Sequence, residues 1–137
     1  MSNTLSISLQ NDREDLTKVN RALTEFLTPI ELSPRINNAV NLVIEELLMN
    51  IVQHGYEDAD AHPIDLDLDI DTERIAITFT DGGVAFNPLA LPRPDQSRPA
   101  MERIENGLGI NLVRRIRKAM EYRREDGKNI LKIWIDR

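Results

Sequence analysis

Between Ile64 and Asp71 the chain reads Ile-Asp-Leu-Asp-Leu-Asp-Ile-Asp, eight residues of unbroken alternation. Successive side chains of a strand point to opposite faces. Ile64, Leu66, Leu68 and Ile70 therefore share an inward face, and the four aspartates face water. Thr72-Glu73 forms a short turn, and Ile75, Ile77 and Phe79 continue as a second strand, so the pair is expected to be an antiparallel hairpin. A calcium loop starting at Asp65 is excluded: its sixth position would be Ile70 rather than glycine, and its twelfth Ala76 rather than glutamate. The acidic face is instead a solvated surface that discourages edge pairing.

The remaining pattern supplies the layer that covers this strand pair. Residues 4–9 alternate as a half-buried strand. Asn11 or Asp12 can cap a helix in which Leu16, Val19, Leu23 and Phe26 recur at helical spacing, and Pro29 and Pro34 punctuate its end. Ser33-Pro34 then opens a second helix, a hydroxyl cap followed by proline in the first turn. Ile36, Val40, Val43, Leu47 and Ile51 form its stripe, and Leu42, Ile44 and Leu48 widen it until the helix must be largely buried. Residues 88–106 hold four of the seven prolines, a long irregular stretch of the kind that is functional or disordered. Residues 109–120 read as a helix, with Ile110, Val113 and Ile116 on one side. Strands around Glu121–Arg124 and Ile130–Ile135 close the chain, joined by a turn through Asp126-Gly127. The expectation is an α/β (α+β) two-layer sandwich, a mostly antiparallel mixed sheet of about 4–5 strands with helices on one face.

Composition narrows the function. A chain of 137 residues fits one domain, and with one Trp, two Tyr and three Phe its core must be aliphatic. The net charge of -6 argues against non-specific nucleic-acid binding. Charge is uneven: Glu57–Glu73 carries eight acidic residues and no basic one, whereas Arg93–Arg124 carries nine basic and four acidic. The basic stretch serves either a local anion or a solvated helix surface. There is no cysteine, which removes disulfides and thiolate metal sites. No signal-peptide pattern and no apolar run of about 20 residues is visible, so a soluble, cytoplasmic protein without membrane contact is expected.

Three constellations can carry chemistry. Glu46, Asn50 and His54 stand four residues apart, along one line of the buried helix, with Glu45 turned off it. Buried without partners, each would cost roughly 1–3 kcal/mol or more. A wet cleft, a metal or a ligand would satisfy them, and so would simple exposure at the helix edge. The second is Asp81-Gly82-Gly83-Val84-Ala85-Phe86-Asn87-Pro88 after a strand. Asp81 can accept from a ligand amine while the glycines admit a flat ligand or another backbone; an ordinary Asp-Gly turn is the alternative. The third is Gly107-Leu108-Gly109 opening a helix, whose backbone N–H groups favour an anion. It is neither a Walker loop, which needs Gly-Lys-Ser/Thr, nor a Rossmann fingerprint.

Together, Glu-x-x-x-Asn on a helix, Asp-x-Gly-x-x-Phe-Asn-Pro after a strand, a proline-rich stretch and Gly-x-Gly before a helix resemble the GHKL (Bergerat-fold) ATPases over nearly the whole chain. The resemblance is nearest to stand-alone anti-sigma-factor serine/threonine kinases, which also carry Asn-x-x-x-His-Gly-Tyr, as Asn50–Tyr56 does. It implies a single ATP-binding domain over 1–137 with a lid at about 88–106, binding ATP and Mg²⁺. It implies that Asn50 supplies an oxygen to the metal and that Glu46 is the general base for a serine hydroxyl. Asp81 would bind the adenine amine, with Gly83 and Phe86 beside the ring, and Gly107, Leu108 and Gly109 would hold phosphate. It implies a homodimer whose partners are an anti-sigma-factor antagonist, a sigma factor, or both. Glu105 and Asn106 precede Gly107 where many relatives carry a basic residue, so phosphate contacts would fall to backbone N–H groups and Arg103, Arg114 or Arg115. Asn87 replaces an aspartate common in relatives.

A histidine autokinase is not expected: His54 and His62 are the only histidines, and no dimerisation helix presents either. Two classes stay open, a protein kinase and a binding module that uses ATP only to set its shape while it sequesters a regulator. Trp134, out of phase with Ile133 and Ile135, stands either on a partner-facing sheet surface or in a second small core or partly exposed position.

Overall fold

The computed structural model describes residues 3–10, 13–54, 62–83 and 119–137. In chain order these form β1 (Asn3–Gln10), α1 (Arg13–Leu27), a 3-10 turn (Thr28–Ile30), α2 (Pro34–His54), β2 (Pro63–Ile70), β3 (Arg74–Asp81), β4 (Ala119–Glu125) and β5 (Lys128–Asp136). The five strands make one sheet in the order β1-β2-β3-β5-β4, and every pairing is antiparallel. Among the described residues the fold is α+β, two helices on a five-stranded antiparallel sheet, which satisfies the sandwich expectation.

Register converts the alternation of each strand into rows across the sheet. Ile7, Leu66, Phe79, Leu131 and Tyr122 are successive partners, as are Leu5, Leu68, Ile77, Ile133 and Met120. The central members of both rows are buried in the same core as Val19 and Leu23 of α1 and Val40, Val43 and Leu47 of α2. Both helices therefore lie against the odd-numbered face of β3, and the aspartates of β2 face away from them. The next row reads Leu9, Ile64, Asp81, Asn129, Arg124. It begins apolar and turns polar beyond β2, and the candidate site grows from it.

Local chemistry sets the ends of these elements. Ser33 caps α2: its Oγ accepts the Ile36 N–H at 3.3 Å and its carbonyl the Asn37 N–H at 2.8 Å. Asp71 Oδ1 accepts the N–H groups of Glu73 and Arg74, each at 2.8 Å, closing the β2–β3 turn. These backbone donors hold the Asp71 carboxyl below the usual carboxylate range, Arg74 contributing most. Asp126 and Gly127 both have positive φ, 50° and 75°, as a tight two-residue hairpin turn needs. Arg137 ties three segments together, bonding the carbonyls of Asp71 (2.8 Å) and Ile30 (3.2 Å) through its guanidinium and that of Glu73 (2.9 Å) through its N–H.

One expectation is corrected. Ala119 and Met120 do not end a helix begun at residue 109; they are the first residues of β4. Met120 pairs with Ile133 and packs on the core, a long-range contact that local spacing does not reveal. Residues 109–118 lie outside the described residues.

Candidate functional site

The polar line of α2 is partly settled. Glu46 and Asn50 are half-buried, whereas Glu45 is exposed. The Asn50 carboxamide donates through Nδ2 to the Glu46 carbonyl at 2.7 Å. Asn41 makes the same back-bond to Asn37, at 2.8 Å, so this satisfaction of an amide N–H by the preceding turn is a local habit of the helix. It leaves the Oδ1 atom of Asn50 as an acceptor. Partial burial pushes the Glu46 pKa up, and the adjacent Glu45 charge adds to the rise. The side chain of His54, the third member of the line, is outside the described residues.

Asp81 ends β3 on the helix side of the sheet and is only 6% exposed. A buried carboxylate needs donors. Its Oδ1 accepts the Gly83 N–H at 2.9 Å and the Asn129 Nδ2 at 3.2 Å. Among the described residues no donor reaches Oδ2. Asn129, 5% exposed, stands directly opposite Asp81 on β5. Its own Oδ1 accepts from the Tyr122 hydroxyl at 2.5 Å and from Arg124 Nη1 at 3.0 Å. The same Nη1 donates to the Gly83 carbonyl at 2.7 Å. The Asp-Gly-Gly corner is thus tied at both Asp81 and Gly83 to the last hairpin. Gly83 is buried, while a Cβ added at Gly82 would meet nothing within 4 Å.

Two pairs of expected residues are therefore brought together, Glu46 with Asn50 and Asp81 with Gly83. No hydrogen bond joins one pair to the other among the described residues. Phe86, Gly107, Leu108, Gly109 and the stretch 88–106 lie outside the described residues. Sequence reasoning missed Asn129, Tyr122 and Arg124. The available signal was parity: Asn129 falls on the inward series of Leu131, Ile133 and Ile135, where an amide requires partners.

The profile of the histidine kinase-like ATPase domain matches residues 9–135. This chain belongs to that family. A histidine kinase-like ATPase domain implies ATP binding. Among curated relatives, the serine/threonine-protein kinase BtrW of Bordetella bronchiseptica is 29% identical over 99 residues, which cover 72% of this chain and 70% of BtrW. The serine-protein kinase RsbW of Bacillus cereus is 30% identical over 96 residues, covering 67% of this chain and 59% of RsbW. The anti-sigma F factor of Oceanobacillus iheyensis is 23% identical over 123 residues, covering 88% of this chain and 83% of that factor. The match thus spans about three fifths of the length of RsbW.

The residues of this ATPase domain fit the groups its family implies. An adenine ring offers an amine, and Asp81 offers a buried carboxylate oxygen with no other donor among the described residues. A magnesium ion takes oxygen ligands and keeps waters, so Oδ1 of Asn50, which no donor reaches among the described residues, suits it. Among the described residues no group of three or more His, Cys, Asp or Glu side chains could hold a metal ion unaided. Phosphate oxygens would have to complete the shell. No helix of the described residues is long and apolar enough to cross a membrane.

Proposed function

We propose that this chain is an ATP-dependent protein serine/threonine kinase that acts as an anti-sigma factor on a small protein antagonist. It is a single domain over 1–137 that works as a cytoplasmic homodimer. The observation that supports it most is Asp81: a buried carboxylate with one oxygen doubly bonded and the other without a donor among the described residues. A buried acceptor left open is costly, and an adenine amine would relieve that cost. The names of BtrW, a serine/threonine-protein kinase, and RsbW, a serine-protein kinase, support the same reading.

In this reading Asp81 accepts from the adenine amine, and Gly83, with Phe86, gives the ring room. Asn50 presents its Oδ1 to Mg²⁺, and Gly107, Leu108 and Gly109 offer backbone N–H groups to the phosphates. The metal, when bound, neutralises charge developing on the transferred phosphoryl group. Glu46 accepts the proton of the incoming serine hydroxyl as its oxygen bonds to the γ-phosphorus and the bond to the ADP oxygen breaks. Partial burial favours this role, since a raised pKa makes the carboxylate a better base near neutral pH.

Glu46→Ala separates the kinase from a module that only binds. It should abolish transfer of labelled phosphate from ATP to protein in an extract of the source cells, while Mg-ATP titration heat persists. Asn50→Ala should weaken Mg-ATP binding. If no phosphoprotein forms with the unmodified chain and a sequestered regulator is still held, the kinase assignment is wrong and the binding module stands.

A further inference from the structure

The apolar-to-polar row across the sheet places Asp81, Asn129 and Arg124 side by side, and Tyr122 reaches them from the neighbouring row. Asn129 has a carboxamide oxygen with two lone pairs, and both are taken, by Tyr122 Oη and Arg124 Nη1. That choice of donors fixes which end of the amide meets Asp81: Nδ2 must face the carboxylate, and it does, at 3.2 Å. The Gly83 N–H reaches the same carboxylate oxygen. Oδ1 is therefore filled with two donors, and the carboxylate is held with Oδ2 turned out as an acceptor that no donor reaches among the described residues. Arg124 secures the other side of the corner through the Gly83 carbonyl.

We propose that Tyr122 and Arg124, acting through Asn129, are positioning residues that hold Asp81 as a pure acceptor and so make the site select an aminopurine over an oxopurine. The selection rests on the reading of Asp81 as the purine-amine acceptor. Its chemistry is direct. An exocyclic amine donates to Oδ2, whereas an exocyclic carbonyl in the same place sets lone pair against lone pair. If the amide or the corner were free to turn, the carboxylate could withdraw from that geometry and discrimination would fall. Neither Tyr122 nor Arg124 needs to touch the nucleotide.

The test compares ATP with inosine triphosphate, which carries a carbonyl in place of the amine, by titration calorimetry on the full chain with Mg²⁺. Tyr122→Phe removes one donor and keeps the ring. Arg124→Gln removes the cation, and Arg124→Lys keeps an ammonium able to bridge two oxygens. The unmodified chain should bind ATP at least about tenfold more tightly than inosine triphosphate. Tyr122→Phe and Arg124→Gln should each weaken ATP by about five- to tenfold and leave inosine triphosphate within about twofold, so the ratio falls. Arg124→Lys should recover part of that ratio. A merely structural tie would weaken both nucleotides by one factor; that result, or unchanged discrimination in variants that melt like the parent, overturns the proposal. Should Arg124→Gln fail to fold, Tyr122→Phe carries the comparison alone. A parent chain that binds neither nucleotide, or both equally, sinks the assignment of Asp81 itself rather than the positioning network alone.

Discussion

Asn129→Ala is the most informative stability perturbation, because one small side chain joins the last hairpin to the end of β3. It donates to Asp81 and accepts from Tyr122 and Arg124. The bond to the Asp81 carboxylate is the costly one to break: both residues are about 5–6% exposed, so water cannot easily replace the lost donor. A hydrogen bond to a charged group contributes about 1.5–3 kcal/mol. The Tyr122 and Arg124 bonds are only part-buried, and solvent recovers much of their value, leaving about 1 kcal/mol for the two together. The sum is about 2.5–4 kcal/mol, a large share of the roughly 5–15 kcal/mol that holds a domain folded. Urea unfolding followed by the fluorescence of Trp134, the only tryptophan, measures it directly. The midpoint should fall with the slope unchanged. A loss below about 1 kcal/mol would refute the argument, since it would mean the Asp81 carboxylate does not depend on this amide.

Three further outcomes follow from the fold. Phe79 is 0% exposed at the centre of the sheet, so Phe79→Ala should cost about 3–5 kcal/mol in the same unfolding experiment. Gly127→Ala places a Cβ at φ 75°, and should lower stability by about 1 kcal/mol through backbone strain alone, with no neighbour within 4 Å to add a clash. Asp71 has a folded pKa held below its unfolded value, so its contribution is present above the unfolded pKa and is lost as pH falls through the folded one. Melting temperature against pH should therefore drop less steeply on the acid side of about pH 4 in Asp71→Asn than in the parent.

Features set by neighbours in the chain were legible in the sequence. The alternation of Ile64–Asp71 became β2 with its apolar residues buried, and Ser33, the α2 stripe and the Asp126-Gly127 turn appear where their chemistry demanded. These features depend on neighbours in the chain. What escaped depends on pairing between distant segments. Ala119 and Met120 carry no strand signal of their own and become β4 because β5 offers a register. The ties from Asn129 to Asp81 and from Arg124 to the Gly83 carbonyl span more than 40 residues of chain. They exist only because β5 inserts between β3 and β4, an order that periodicity cannot reveal. Glu46, Asn50, Asp81 and Gly83 were legible as candidates, since polar groups on buried faces ask for partners. The amide hydrogen of Asn50 found its partner within its own helix, which local spacing left open.

In the proposed reading, the Asp81 oxygen that no donor reaches among the described residues receives the amine of a purine. Calorimetric titration of Mg-ATP into the parent chain and into Asp81→Asn tests it most directly. The parent should give saturable heat, and the variant, which trades an acceptor's charge for a neutral amide, should bind at least about tenfold more weakly while melting as a folded protein. No heat from the parent at millimolar nucleotide, or equal affinity in the two proteins, would contradict it.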